Sequence, residues 1–219
     1  MTVLDDKTEV ETFIERESHI LHFVERVMLA DDPLMAQFQL SGGLEGIRRN
    51  QALREKVVER FGYAVITREA INRLVPYSPF IEVGAGTGYW SYELEKAGGI
   101  SIATDLHTPE TKTQPEVLHA FYGHEPYVKL IAMSAEKAVE KYPGKTLLMV
   151  WPELDLNWAW KALKKYTGST LVYVGEGRGG WTGDDQLHDE LELNWQQEER
   201  IKIPCFPVHK DAIFIYHRK

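Results

Sequence analysis

Glycines 84, 86 and 88 alternate directly behind the run Phe80-Ile81-Glu82-Val83. Glycine costs backbone entropy and buries nothing, so this spacing serves the close approach of a ligand to bare main chain. The loop departs from the dinucleotide fingerprint G-x-G-x-x-G, because Tyr89 stands where its third glycine would be. Asp105 follows Gly84 by ~20 residues, the spacing of a ribose-binding acid. A carboxylate accepts from two ribose hydroxyls at once, so the pattern fits a nucleoside ligand. The alternative for Asp105 is a turn or helix-cap residue. A second stretch, GEGRGGWTGDD from Gly175 to Asp185, offers Glu176, Arg178 and Trp181. Glu176 is a candidate catalytic base at a strand end, or it pairs with Arg178. Arg178 suits an anionic substrate group with Trp181 packed on it, and Asp184 and Asp185 read as a helix cap. Trp151 is either a strand-end core residue or a pocket wall.

These residues need a scaffold that delivers strand ends to one place. Short apolar strands are expected at Phe80–Val83, 100–104, 128–133, 147–151, 171–174, 200–203 and 212–216. Helices are expected over 88–97, 135–142 and 157–166, and after Asp184 with Leu187, Leu191 and Trp195 on its buried side. Alternation of strands and helices predicts an α/β fold: a Rossmann-like, seven-stranded, mostly parallel sheet with one antiparallel edge strand and helices on both faces. Residues 1–75 read as an N-terminal helical extension, with an amphipathic helix through Val10 to Met28 and helices over 51–61 and 68–74. Residues 76–219 read as the ligand-binding domain, and Tyr63 as a pocket residue contributed by the extension.

Composition narrows the function. The chain of 219 residues carries 33 acidic and 25 basic side chains, a net charge of −8. A sequence-independent nucleic-acid binder needs a basic face, so nucleic acid is not the expected partner. Cys205 is the single cysteine, which excludes an intrachain disulfide and zinc-finger spacing. No metal is expected: His107, His119 and His124 lack ligand spacing, and His19 and His22 read as surface groups. No apolar run reaches membrane-span length. A cytoplasmic protein acting without a membrane partner is expected.

The pattern E-x-G-x-G-x-G from Glu82 to Gly88, with Asp105 behind it, resembles the first motifs of class I S-adenosylmethionine-dependent methyltransferases. The resemblance covers about residues 76 to 219. A narrower one, carried by GYAVITREAI, EVGAGTGYW, LLMVWPEL and YVGEGRGGWTGDD, is to a set of poorly characterised methyltransferase-like proteins. The family implies S-adenosylmethionine as cofactor, a transferase activity and, here, a small-molecule acceptor. It implies that Glu82 meets the methionine ammonium, directly or through water, and that Gly84, Ala85, Gly86 and Gly88 line the amino-acid end. Tyr89 would touch the cofactor, Asp105 and Leu106 would hold the ribose side, and Ser134 and Ala135 would lie near adenine. Trp151 would wall the pocket and Glu176 would act as base. The fourth strand ends in Trp151-Pro152-Glu153-Leu154, where amino-methylating DNA enzymes carry D/N-P-P-Y/F; the departure argues against nucleobase methylation. The alternative reading is a non-catalytic cofactor-binding or protein-interaction module with the same fold.

Overall fold

The computed structural model describes residues 54, 58, 61–109, 111, 125–206 and 209–219. The expected first helix, His19, His22, His119 and His124 lie outside the described residues. Of the expected 51–61 helix, residues 54, 58 and 61 are described, and all three are helical.

Helix α1 (Arg68–Leu74) opens where the Thr67 hydroxyl accepts from the Ala70 N–H. It is followed by a 3-10 turn, Val75–Tyr77, with proline at its start. Then come β1 (Phe80–Val83), α2 (Tyr89–Lys96), β2 (Ser101–Asp105), β3 (Ile131–Ala132), α3 (Ala135–Lys141) and β4 (Thr146–Val150). The chain ends with α4 (Trp158–Lys165), β5 (Thr170–Gly175), α5 (Asp185–Asn194), β6 (Trp195–Lys202) and β7 (Ala212–Arg218). One seven-stranded sheet results, in the order β3-β2-β1-β4-β5-β7-β6. Strands β1 to β5 pair in parallel, and β7 runs antiparallel to both β5 and β6. This is the expected fold class, with β7 second from the sheet edge.

The two faces follow from the period of two along each strand. Phe80, Leu148, Val172, Val174, Ile213 and Ile215 face a core shared with α1, α2 and residues 61–66. Ile81, Val83, Leu147, Met149, Leu171, Tyr173 and Phe214 face the opposite core, covered by α3, α4 and α5. Every central strand is therefore apolar on both sides, as a doubly covered sheet requires. Strand order reverses between β1 and β4, which opens a crevice at their carboxyl ends.

Three boundaries differ from expectation. Trp195 is buried, but as the first residue of β6 rather than the last turn of α5. Helix period and strand start both turn it inward, and no glycine or proline marks the switch. Strand β6 begins five residues earlier than 200, because its solvent face is the polar run Gln196 to Glu199. Strand β3 has two residues, since Val128 and Leu130 turn onto the glycine loop instead of extending the ladder. No helix among the described residues is long and apolar enough to cross a membrane.

Candidate active site

The glycine loop leaves β1 and enters α2. Gly84, Gly86 and Gly88 all have positive φ, at 65°, 55° and 72°. A Cβ would be strained at each position, but the surroundings differ. At Gly84 it would lie 2.9 Å from the Trp158 indole, and at Gly88 it would lie 2.6 Å from Val128 Cγ2. At Gly86 it would meet nothing within 4 Å. Gly84 and Gly88 are thus bare so that the protein can pack on them, and Gly86 is bare on its open side. Gly88 also caps α2 in the left-handed conformation without a side-chain cap, and the Ser91 N–H in the first turn of that helix is taken by Glu82.

Asp105 is joined to this loop. Its Oδ2 accepts from Gly86 N at 2.8 Å and its Oδ1 from His107 N at 2.8 Å. Two N–H donors leave the carboxylate with lone pairs to spare for two hydroxyls. Burial pushes its pKa up, against the pull of those two bonds. Ala85 donates its N–H to Thr104 O and rests on Val128, Leu130 and Ala103. Leu106 is exposed and lines an open cavity of about 720 Å³ with Met133, Ser134 and Lys137. Ser134 caps α3 through its hydroxyl, and Ala135 begins that helix. The structure thus brings Gly86 and Asp105 into direct contact, and puts Leu106 and Ser134 on one cavity. Together Gly86 and Asp105 offer bare main chain and a carboxylate with spare acceptors.

Glu82 is turned away from this opening. It is 1% exposed and accepts from Ser91 N at 3.1 Å and Ser91 Oγ at 2.5 Å beneath α2. Desolvation raises its pKa to about 7, Ser91 opposing. Any contact with a ligand ammonium is therefore indirect. Tyr89 is buried with Phe61, Tyr92 and Tyr127, its ring edge-on to those of Phe61 and Tyr127. It is the first residue of α2.

A second group gathers at the ends of β4 and β5. Trp151 holds φ 53°, strained for a bulky side chain. Its indole stacks on Tyr63 at 4.5 Å, donates from Nε1 to Asp211 Oδ1 at 2.9 Å and meets His209 edge-on at 5.7 Å. The expected pocket role of Tyr63 gains this contact. The Arg54 guanidinium lies over the rings of Trp151, Tyr63 and Phe206.

The 176–183 loop is folded tightly onto its neighbours. Thr182 Oγ1 accepts from Glu176 N, Gly183 N donates to Pro152 O, and Thr182 bridges Glu153. Arg178 does not pair with Glu176. It is held by Asp189, Glu192 and Asp185 along α5, which spends its charge on the protein. Asp184 caps α5 as expected, accepting from Leu187 N at 2.8 Å. Glu176 is buried, and its partner is His209, with Nδ1 2.9 Å from Oε1.

Sequence reasoning missed Trp158, which packs on Gly84 and donates from Nε1 to Glu153 Oε2 at 2.7 Å. It also missed His209 and Asp211. Each is joined to the site by contacts that no local pattern encodes.

No family model matches the sequence, and no curated protein matches it. Solved structures do align. Magnesium protoporphyrin IX methyltransferase from Synechocystis PCC 6803, with bound SAM, aligns over 100% of both chains at 14% identity and TM-score 0.46. The 23S rRNA methyltransferase ErmE aligns over 72% of this chain and 70% of its own, at 18% identity and TM-score 0.41. A SAM-dependent methyltransferase from Archaeoglobus fulgidus aligns over 84% and 98%, at 12% identity and TM-score 0.41. The fold is a Rossmann-like, seven-stranded, mostly parallel sheet of the kind expected from the sequence. The order and directions of its seven strands carry that assignment.

Proposed function

We propose that this chain binds S-adenosylmethionine on the Gly84–Gly88 loop and transfers its methyl group to a small-molecule acceptor in the cytoplasm. The observation that carries the reading is the pairing of Gly86 with Asp105: an unobstructed glycine at φ 55° whose N–H is tied to a carboxylate at the end of the next strand. When bound, the cofactor supplies a methyl group on a sulfonium, already activated for transfer. The protein's work is to bind, align and shield. Asp105 would take the ribose hydroxyls, and Leu106, Ser134 and Ala135 would border the adenine. Gly84, Ala85 and Gly86 would hold the amino-acid end, with Tyr89 beside them at the start of α2 and Glu82 acting through an intermediary. Trp151 would wall off the cofactor from the acceptor. Net charge −8 and the departure of Trp151-Pro152-Glu153-Leu154 from the nucleobase-enzyme tetrad favour a small acceptor over nucleic acid.

Calorimetric titration with S-adenosylhomocysteine tests the reading. Asp105→Ala should weaken binding by more than ~10-fold, equivalent to ~1.4 kcal/mol. Unchanged affinity removes Asp105 from the site, and tight binding of NADH alone ends the reading. Cofactor binding without turnover on any acceptor would favour a non-catalytic module.

A further inference from the structure

We infer that His209 is the proton acceptor of this site, that Glu176 is its positioning residue, and that the acceptor is a hydroxyl on a planar ring. The reaction rests on the methyl-transfer reading; the His209–Glu176 geometry stands by itself.

Glu176 sits at a strand end, where a base is useful, but its carboxylate faces inward. Its side chain is 6% exposed. Oε1 is taken by His209 Nδ1, and Oε2 lies against Gly180, where an added Cβ would stand 2.5 Å from it. A carboxylate can only accept, so Nδ1 carries the proton, and in the neutral form of the ring Nε2 is the unprotonated nitrogen. Nε2 makes no hydrogen bond among the described residues. A carboxylate fixing the tautomer of an imidazole whose far nitrogen takes a proton is the geometry of general-base catalysis.

The surroundings define the acceptor. Two indoles stand edge-on to the imidazole, Trp151 at 5.7 Å and Trp181 at 6.5 Å. Trp181 is 60% exposed, an apolar plate left open beside the base. Aromatic walls favour a flat ring. The other titratable groups nearby are occupied: Asp211 accepts from Trp151 Nε1, and the Cys205 thiol donates to main-chain oxygens with burial pushing its pKa to about 11. The Arg54 guanidinium lies over the Trp151 and Phe206 rings. A neutral amine attacks through its own lone pair, but a hydroxyl must lose a proton, and His209 is placed to take it. As the ring oxygen bonds to the methyl carbon, the sulfur keeps the S–C electron pair. The hydroxyl proton passes to Nε2, and the imidazolium, stabilised by Glu176, returns it to water.

Two measurements test this. The first needs no cofactor. In ¹⁵N-labelled protein, at a pH where the imidazole is neutral, His209 should show the Nδ1–H tautomer, with the resonance assigned by its loss in His209→Gln. Glu176→Ala should mix the tautomers. A wild-type Nε2–H tautomer, or a spectrum unchanged in Glu176→Ala, overturns the inference; the wild-type spectrum decides even where that variant fails to fold. The second uses 4-nitrophenol and S-adenosylhomocysteine. The phenol should bind saturably with phenolate absorbance, at least ~10-fold more weakly in His209→Gln while the S-adenosylhomocysteine affinity holds. Absence of saturable binding to the wild type overturns the hydroxylated-ring assignment. Failure of S-adenosylhomocysteine to bind would instead strike the cofactor reading, leaving the tautomer result to stand or fall separately.

Discussion

The glycine loop and the His209 cluster occupy the same end of the sheet and are made of different materials. The loop is main chain. Its working parts are three positive-φ glycines, an unfilled space at Gly86 and the Gly86 N–H tied to Asp105. The cluster is side chain: an imidazole held by a carboxylate, two indoles and an aspartate, from the ends of β4 and β5 and the approach to β7. A main-chain site tolerates little change in residue size and is indifferent to most side-chain chemistry. A side-chain site has the opposite sensitivities. The two regions should therefore fail in different ways.

The largest expected effect belongs to Gly88. Valine there would hold a β-branched residue at φ 72° and drive its Cβ to within 2.6 Å of Val128 Cγ2. Backbone strain and overpacking together should cost about 3 kcal/mol or more, read by urea denaturation. A loss below ~1 kcal/mol would mean that the 125–130 segment yields easily, and the loop is less rigid than its packing implies.

Next comes Glu82, the hidden charge beneath the loop. Its folded pKa of about 7 lies above its ordinary 4.5. The folded state thus holds the proton more tightly than the unfolded chain. That contribution is fully present below pH ~4.5 and is lost as pH rises through ~7, by up to roughly 3 kcal/mol. Glu82→Gln stays neutral and still accepts from Ser91, so it should flatten the fall in stability across this window and exceed the wild type at pH ~8. Glu93, also raised to about 7 by burial, will leave a residual slope. Parallel stability curves for variant and wild type would show that Glu82 is solvated in the folded protein.

How much of this was legible in the sequence follows from the same contrast. The loop announces itself within Glu82 to Gly88 because main-chain geometry writes itself as glycine, and Asp105 follows at a fixed structural interval. The sheet was legible because β1, β4, β5 and β7 are apolar on both faces. The cluster was not legible. Glu176 and His209 are 33 residues apart and Trp151 and Asp211 are 60 apart, and none of the four belongs to a repeating pattern. They meet because β7 inserts between β5 and β6, a pairing that the alternation of strands and helices leaves open. Arg178 shows the converse. It lies two residues from Glu176, but α5 presents three acids to it, and the alternative that it pairs with Glu176 does not hold.

Gly86 sharpens the contrast within the loop. A Cβ at this position meets no atom within 4 Å, so the left-handed backbone is the main opposition to valine, at ~1–2 kcal/mol. Its side chain would occupy the space assigned to the ligand. Affinity for S-adenosylhomocysteine should fall by more than ~30-fold, about 2 kcal/mol, while the protein stays folded. Retained affinity would show that the open side of Gly86 is not where the ligand lies.

The smallest effect tests whether the two regions are separable at all. Asp211→Asn keeps an oxygen to accept from Trp151 Nε1 and removes a buried carboxyl whose pKa burial holds up. If the loop binds the cofactor by main chain and Asp105 alone, affinity for S-adenosylhomocysteine should stay within ~2-fold, since groups without shared partners act additively to within ~0.5 kcal/mol. A larger change would mean that Trp151, held by Asp211, bears directly on the cofactor, and that the wall between the regions belongs to both.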